Sequence, residues 1–499
     1  MRFSHPALLI VATVGGGLWA ASASAQQVHF GVDLPDPGIP GFSFPAPETT
    51  INAWIGSGNE RAIYRHGWGV WTALSAASGT DARGIPNAPV YLTWADPGEI
   101  AAVSKAANAA AALTQAKQSL VLQAPRQHGE AAERTATVET VRTSYLCGAS
   151  GAPDTCILVT VNYSPAAAHF ALDNKILLEE TLQTYWEDGY EQIPTFPTAT
   201  VNVKPVYKII SPAKLVDERY YTMPAWPGTP VPPKTFPETD WGQCIFIDVT
   251  DQSAASGAVD KTCDTRTADN TYNLSDFIHF KVTEDDQHQI GELVGDQFKG
   301  NPLEVGDTII LVGMHVTTRE ITRWTWQTFW WVPDPDAPLA PSSVAIARAR
   351  PDQLQGAARN YAMAIAYQML MPAQPLTGGT DVGELMPAYN PHLEAGFDPA
   401  TFQEKRPVQT NNGPVTTRYG VETNCMTCHG LALYDPGKDY ADEDVSREDP
   451  YGSNFYLGRD DRVFDRMLQL DFAWSVLGSM IAIGEGGRRS PEAQEPVPE

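Results

Sequence analysis

Two cysteines and a histidine stand close together late in the chain, in the motif Cys425-Met-Thr-Cys428-His429. Two thiols separated by two residues can each add to one vinyl group of a haem as a thioether, and the adjoining histidine is then placed to coordinate the iron. The spacing therefore predicts one covalent haem c. The alternatives are a redox Cys-x-x-Cys pair or half of a zinc site with an incidental histidine, but no second cysteine or histidine pair nearby completes a zinc set.

Four further segments accompany this motif: His66-Gly-Trp68, Gly313-Met-His315, Asn390-Pro-His-Leu-Glu-Ala395 and Asp471-Phe-Ala-Trp-Ser475. Together with the motif they resemble a poorly characterised group of exported bacterial c-type cytochrome proteins, and the likeness touches most of the chain. The resemblance to cytochromes c implies that Cys425 and Cys428 hold the porphyrin and that His429 is the proximal iron ligand. It implies no particular substrate.

The second axial position of the iron is left open by the motif. A methionine there raises the reduction potential, a second histidine lowers it, and a vacant position permits binding of a small molecule. Met480 is the first choice for this ligand because it lies C-terminal to the motif, as in small cytochromes c, and Met467 is the second. Met386 and His392, both upstream, are further possibilities. For either Met480 or Met467 the alternative is a role in filling the core.

A tryptophan-rich segment and two histidines are the other residues that could do chemistry. Period-two alternation along a strand places Trp324, Trp326 and Trp330 on one face. That face is either a surface that stacks on a ring-bearing ligand or packs against the haem region, or a tryptophan-filled core between sheet and helix, which we favour. His315 and His66 are candidate ligands or proton carriers, although histidines in such surroundings are more often hydrogen-bonded core residues.

The N-terminus and the cysteines indicate export. Arg2 precedes an apolar run, and Ala23-Ser-Ala25 supplies a cleavage signal, so residues 1–25 are predicted to be a signal peptide and the mature protein to be periplasmic or secreted. No later segment has the apolar length needed to span a membrane. Of six cysteines, two belong to the haem motif, and an oxidising compartment makes two local disulfides plausible. These are Cys147–Cys156 and Cys244–Cys263, with crossed pairing also open.

Composition describes an acidic globular protein. The 499 residues are 43% hydrophobic and 19% charged, and the formal net charge is -25. An acidic surface of this kind repels nucleic acid and anionic membranes, and it favours solubility or a basic redox partner protein. Neither the identity of such a partner nor the oligomeric state follows from the sequence.

The order of predicted elements gives an α+β fold class. Residues 26–50 read as an extended arm, and 51–332 as a large portion of mixed strands and helices that holds both predicted disulfides. A Pro/Asp-rich linker covers 333–351 and is predicted to be the main boundary. Beyond it we expect a mainly α-helical, cytochrome c-like haem region over 352–484, beginning with a helix over 352–371, and then a polar tail over 485–499.

Three functions compete on this evidence. The first is a periplasmic monohaem c-type cytochrome that transfers one electron at a time, for which no catalytic dyad is needed. The second is a haem-containing oxidoreductase that binds its substrate on the N-terminal portion or at an open haem position. The third is a non-catalytic module that binds a ligand on the tryptophan-rich strand. The chain holds no Gly-x-Ser-x-Gly, His-Glu-x-x-His or phosphate-binding loop motif.

Overall fold

The structure, a computed structural model, describes residues 28–106, 157–287, 304–397, 399, 402, 408–416, 419–438 and 455–477. Its helices are α1 Glu48–Gly56, α2 Glu60–Ser75, α3 Pro97–Lys105, α4 Pro165–Asn174, α5 Glu179–Glu187, α6 Val344–Ala347 and α7 Cys425–Gly430. Short 3-10 turns lie at Val90–Thr93, Pro212–Lys214, Glu238–Asp240, Leu274–Asp276, Gly356–Asn360, Gly420–Glu422 and Arg462–Phe464.

The strands are numbered in chain order. They are β1 Leu158–Val159, β2 Asn162–Tyr163, β3 Val201–Ile210, β4 Tyr220–Pro224, β5 Cys244–Asp248, β6 Thr271–Asn273, β7 His279–Lys281, β8 Thr308–Thr318, β9 Thr325–Trp331, β10 Tyr361–Ala366, β11 Leu370–Met371, β12 Glu384–Leu385, β13 Val408–Thr410, β14 Gly413–Val415, β15 Leu433–Tyr434 and β16 Leu468–Gln469. The mixed strand-and-helix character predicted for the first two thirds of the chain is therefore present.

A seven-stranded antiparallel sheet organises the molecule. Its order is β1-β3-β8-β9-β10, with β2 also paired to β3 and β7 to β8. The long strands β3 and β8 are rich in valine and isoleucine, whose branched side chains suit a sheet covered on both faces. In the register of β8 with β9, His315 lies opposite Thr328 and Thr317 opposite Trp326.

Two hydrophobic cores cover the two faces of this sheet. On one face α1 and α2 pack against it, and the Trp71 ring stacks on Phe329 with centroids 4.3 Å apart. On the other face Trp324, Trp326 and Trp330 join α3, α4, α5 and α7 in the second core. The predicted alternation along β9 is confirmed. Because each of these three tryptophans is at most 3% exposed, the tryptophan face is a packed core, as favoured above.

The predicted helix over 352–371 is wrong, because Tyr361–Ala366 forms strand β10 and pairs antiparallel with β9. The segment alternates large and small side chains: Tyr361, Met363 and Ile365 enter the first core, and three alanines face the tryptophans in the second. An apolar run of this length satisfies both helical and strand periodicity, and the open edge of β9 decides between them. Pairing across the sheet thus overrides local helix propensity.

The prediction of a mainly α-helical haem region is also wrong. In the described part of 352–484, α-helix is limited to the six-residue α7 and to residues 475–477, and the regular structure is otherwise β10, short two- or three-residue strands and 3-10 turns. The strand β10 follows the Pro/Asp-rich segment in the sequence. It nevertheless belongs to the same sheet as β3, β8 and β9, which precede that segment. The region therefore contributes to the large sheet and forms no separate helical bundle in the described residues.

The Cys244–Cys263 disulfide is confirmed, and it ties the start of β5 to the loop that precedes β6. The other predicted pair, Cys147–Cys156, lies outside the described residues, as do the signal peptide over 1–25 and the tail over 485–499. No described helix has both the length and the apolarity required for a membrane span.

Candidate haem site

The motif Cys425-Met-Thr-Cys428-His429 forms helix α7. Asn424 is its N-cap: the side-chain oxygen accepts from the Thr427 amide at 3.2 Å, and the side-chain amide donates to the Met386 carbonyl at 2.8 Å. An asparagine cap fixes where such a short helix starts, since its side chain satisfies a free amide of the first turn. Residues three and four apart lie on one helix face, so Cys425, Cys428 and His429 share a face.

His429 is oriented through one ring nitrogen. Its Nδ1 donates to the Phe472 carbonyl at 3.0 Å, which leaves Nε2 with a lone pair as the atom able to bind a metal. The Trp326 ring lies against the imidazole with centroids 4.2 Å apart. Burial lowers the pKa of His429 to about 3, so the ring is neutral at physiological pH. A neutral imidazole held by a backbone carbonyl is the form that coordinates iron.

The carbonyl that orients His429 comes from an unusual turn. Asp471 and Phe472 both have positive φ angles, 46° and 69°, although neither is glycine. Such a conformation is costly for each residue and persists where surrounding contacts hold it. Here Asp471 accepts from the Phe196 amide at 2.9 Å and from Arg319 Nε at 3.2 Å.

The rest of this segment also contacts the motif helix. The Trp474 indole donates to the Cys428 carbonyl at 3.1 Å, and Ser475 Oγ lies 2.6 Å from the Tyr163 hydroxyl. The residue types of Asp471-Phe-Ala-Trp-Ser475 do not by themselves indicate a role. Its role is to present a carbonyl to His429 and to hold the C-terminal end of α7.

The two thiols of the motif are free and half-buried. Burial and, after it, the negative charge of Glu394 raise the pKa of both, that of Cys428 to about 12. Cys425 Sγ donates to the Ala388 carbonyl at 3.0 Å. A redox-active cysteine pair needs a lowered pKa to supply a thiolate, so these surroundings argue against a disulfide oxidoreductase. Among the described residues no cluster of three or more His, Cys, Asp or Glu side chains is arranged to hold a metal ion.

An ion pair on β8 borders the motif. His315 Nε2 lies 3.0 Å from Glu394 Oε1; Glu394 acts electrostatically on both thiols and on His429, and His315 acts on His429. Asn390 fixes Glu394, since its amide donates to Glu394 Oε2 at 2.7 Å. Gly313 makes room for the Asn390 side chain, because a Cβ there would lie 2.7 Å from Asn390 Nδ2. The structure thus brings His315 to the motif helix.

His66 lies away from this site, on the α2 side of the sheet. Its Nδ1 is 2.6 Å from the Tyr367 hydroxyl, and its Nε2 is 3.1 Å from Glu320 Oε1. Both ring nitrogens are therefore occupied by side chains of the first core. His66 is a hydrogen-bonded core histidine, the alternative that the sequence analysis favoured.

The candidates for the second axial ligand of the iron differ in how near the structure places them to the motif. Met480 lies outside the described residues. Met467 directly precedes β16, whose Leu468 pairs with Tyr434, so it stands at the end of the β15–β16 ladder opposite to Phe472 and His429. Met386 stands next to the motif, where its carbonyl accepts from the Asn424 side chain.

His392 is occupied by a second buried cluster. Its Nδ1 lies 2.5 Å from Glu238 Oε1, and Lys208 Nζ lies 2.5 Å from Glu238 Oε2. Burial opposes the ionisation of Glu238, but the charge of Lys208 and the hydrogen bond with His392 outweigh it and lower the pKa of Glu238 to about 2. The cluster connects β3 to the segment that carries Asn390 and Glu394 toward the motif.

This cluster should make the free energy of unfolding sensitive to acid. Because the pKa of Glu238 falls from its ordinary 4.5 to about 2 on folding, its stabilising effect is complete above pH 4.5 and is lost as the pH falls toward 2. The difference corresponds to roughly 3 kcal/mol in the free energy of unfolding. Urea unfolding at pH 7 and pH 3 measures it: wild type and Glu238→Gln should differ much less at pH 3. An equal difference at both pH values would contradict this assignment.

The residues present fit a covalent haem. Two protonated thiols and one neutral imidazole share a face of α7, and the imidazole has Nε2 as its free metal-binding atom. Aromatic side chains of the second core adjoin the site, as the Trp326 ring lies 6.3 Å from Phe472 between ring centroids. This donor set matches the chemistry of haem c attachment.

Comparison with protein-family models, curated proteins and solved structures returns no match for this chain. The functional conclusion therefore depends on the chemistry of the site: two thiols, one oriented imidazole and a bordering His315–Glu394 pair.

Proposed function

We propose that this protein is an exported monohaem c-type cytochrome that transfers single electrons through a haem bound covalently to Cys425 and Cys428. The observation that carries the proposal is the His429 Nδ1 hydrogen bond to the Phe472 carbonyl, which leaves Nε2 as the metal-binding atom on the face that also holds both thiols. A disulfide oxidoreductase would not need an imidazole fixed in this tautomer, whereas an iron ligand does.

The chain's own residues would hold the group in a fixed, largely dry position. Cys425 and Cys428 would supply two thioether bonds, and His429 Nε2 would bind the iron. A covalently held haem supplies one-electron oxidation and reduction. Trp326 packs on the imidazole and limits its rotation, and Asp471, anchored by Arg319, holds the turn whose carbonyl orients it. Little movement of these groups is needed when an electron arrives or leaves.

For the second axial position of the iron we keep Met480 as the proposed ligand, with Met467 as its alternative. Because His315 is the histidine that borders the motif, it is the natural comparison in any test. The haem-matured protein should show low-spin reduced bands and little binding of carbon monoxide. Met480→Ala should remove the thioether-to-iron absorption band, and His315→Ala should leave it unchanged. Immediate conversion of the wild type to a high-spin or carbon monoxide-bound form would contradict the electron-carrier proposal.

Three features support export and a charged partner. The apolar run before Ala23-Ser-Ala25 has the form of a signal peptide, and the Cys244–Cys263 disulfide suits the periplasm or the exterior. The net charge of -25 favours a redox partner protein with a basic docking surface.

A second candidate function is favoured by one observation. The His315–Glu394 pair is an acid–base pair beside the motif, with side chains 19% and 15% exposed, and such a pair could move a proton for a haem-containing oxidoreductase. The carbon monoxide experiment separates the two candidates, since an oxidoreductase acting at the iron needs an open position. The tryptophan face gives no such support to a ligand-binding module, because its indoles are buried.

A further inference from the structure

A cavity of about 340 Å³ borders the motif helix at Met426, and neither Cys425 nor Cys428 lines it. Its wall is formed by residues of α1, of the turn that precedes β9 and of the segment that follows β11, together with Met426 of α7. Its lining includes Ile55, Arg323, Met369, Ala373, Met426 and Tyr456. The lining mixes apolar side chains with polar ones, among them Glu48, Asn52, Gln368 and Gln374, and the volume lies within the usual range for small-molecule sites.

Arg323 is the cation of this cavity, and its contacts are all with neutral groups. One terminal nitrogen donates to the Leu376 carbonyl at 2.6 Å, with the Pro375 carbonyl and the Tyr456 hydroxyl each at 3.3 Å. The other terminal nitrogen contacts Met369 Sδ at 3.2 Å. In the described part of the chain no carboxylate lies within ion-pair distance of this guanidinium, and its Nε has no hydrogen-bond partner.

Other arginines with restricted exposure are handled differently. Each of four pairs with a carboxylate at 3.2 Å or less: Arg83 with Glu99, Arg219 with Asp248, Arg319 with Asp471 and Arg350 with Asp336. A cation removed from water is costly unless an anion compensates it. Arg323 therefore departs from the pattern that this fold otherwise follows.

The charges around Arg323 limit what can compensate it. Asp461 and Arg459 act on it from a distance with opposite signs. Glu48 stands at the wall of the same cavity, where its carboxylate accepts from the Thr322 amide at 2.9 Å and from the Thr322 hydroxyl at 2.8 Å. A multiply charged anion such as phosphate would be repelled by Glu48. A singly charged group attached to an apolar body fits both the cation and the walls.

We propose that this cavity binds a small organic monocarboxylate, with the carboxylate on the Nε side of Arg323 and the apolar body against Ile55, Met369 and Met426. Arg323 is suited to this task because its planar donors match a carboxylate. The site does not depend on haem attachment, since none of the three motif ligands lines it. Met426 nevertheless places the ligand one residue from Cys425.

Calorimetric titration of the full mature chain with benzoate and hexanoate tests the proposal. At least one of them should bind, benzamide should bind at least tenfold more weakly than benzoate if benzoate is the ligand, and Arg323→Met should weaken binding at least tenfold. Arg359→Met, at an exposed arginine outside the cavity, is the matched control and should bind as the wild type does. Circular dichroism checks that each variant is folded.

A second variant keeps the test decisive if Arg323→Met does not fold. Ala373 is exposed at the cavity wall, so Ala373→Trp fills the cavity without removing a buried contact and should abolish binding. Absence of binding of both acids to folded wild type at about 10 mM would overturn the proposal. Equal binding to wild type and Ala373→Trp, or inorganic phosphate binding more tightly than either acid, would overturn it as well.

Discussion

Replacing both motif cysteines, Cys425→Ala with Cys428→Ala, should abolish covalent haem attachment when the chain is produced in a host that matures c-type cytochromes. Both thioether bonds depend on these sulfurs. The other described cysteines, Cys244 and Cys263, are joined in a disulfide and cannot replace them. The peroxidase-type haem stain of the denatured protein on a gel should therefore disappear completely. Each single variant keeps one sulfur and should retain a reduced stain with shifted reduced bands.

The matched control for this experiment is Thr427→Ser in the same helix. Its hydroxyl donates to the Phe455 carbonyl at 3.1 Å, and serine preserves that donor while removing one methyl group. Thr427→Ser should stain as the wild type does. A wild-type chain that never stains, or a double-alanine variant that stains normally, would contradict the proposed attachment.

Glu320→Ala should lower the free energy of unfolding by about 3–5 kcal/mol, the usual cost of breaking a buried charged hydrogen-bond network. Glu320 is 1% exposed, and its carboxylate accepts from the Ala46 amide at 2.6 Å, from Thr318 Oγ1 at 2.5 Å and from His66 Nε2 at 3.1 Å. Alanine would remove this acceptor from the Ala46 amide and from His66 Nε2 in the first core, and Thr318 Oγ1 would keep only its contact with Thr325 Oγ1. Urea unfolding of wild type and variant, both in the same haem state, measures the loss.

Glu320→Gln separates lost hydrogen bonding from lost volume. Glutamine keeps one acceptor oxygen and offers an amide to Thr318, so its cost should be smaller, about 1–2 kcal/mol. Glu284→Ala, at an exposed glutamate, should change stability by less than about 0.5 kcal/mol. If Glu320→Ala were no more destabilising than Glu284→Ala, the network would have no structural role.

Local patterns in the sequence predicted several features correctly. Alternation along Thr325–Trp331 is a short-range property, so it identified the two faces of β9 before any partner strand was known. The pairing of Cys244 with Cys263 closes a short loop, which limits the alternatives.

Features that depend on distant contacts could not be predicted. The strand Tyr361–Ala366 resembles a helix until β9 is available to pair with it. The Asp471–Phe472 turn has no glycine to signal its positive φ angles, because contacts with Phe196 and Arg319 hold it. His315 contacts Glu394 beside the motif, and Gly313 admits the side chain of Asn390, whose backbone amide holds Glu394. Gly313-Met-His315 and Asn390 through Ala395 lie far apart in the sequence, and no local pattern indicates that they meet in the fold.

Mass spectrometry of the denatured and reduced wild-type protein detects the proposed haem attachment itself. After proteolysis, the peptide that contains Cys425 and Cys428 should carry the mass of one haem, and neither thiol should react with an alkylating reagent. Cys244 and Cys263 serve as internal controls, because both should alkylate after reduction. Haem should be found on this peptide alone. Recovery of the peptide with two alkylated cysteines and no haem, from a host that matures c-type cytochromes, would contradict it.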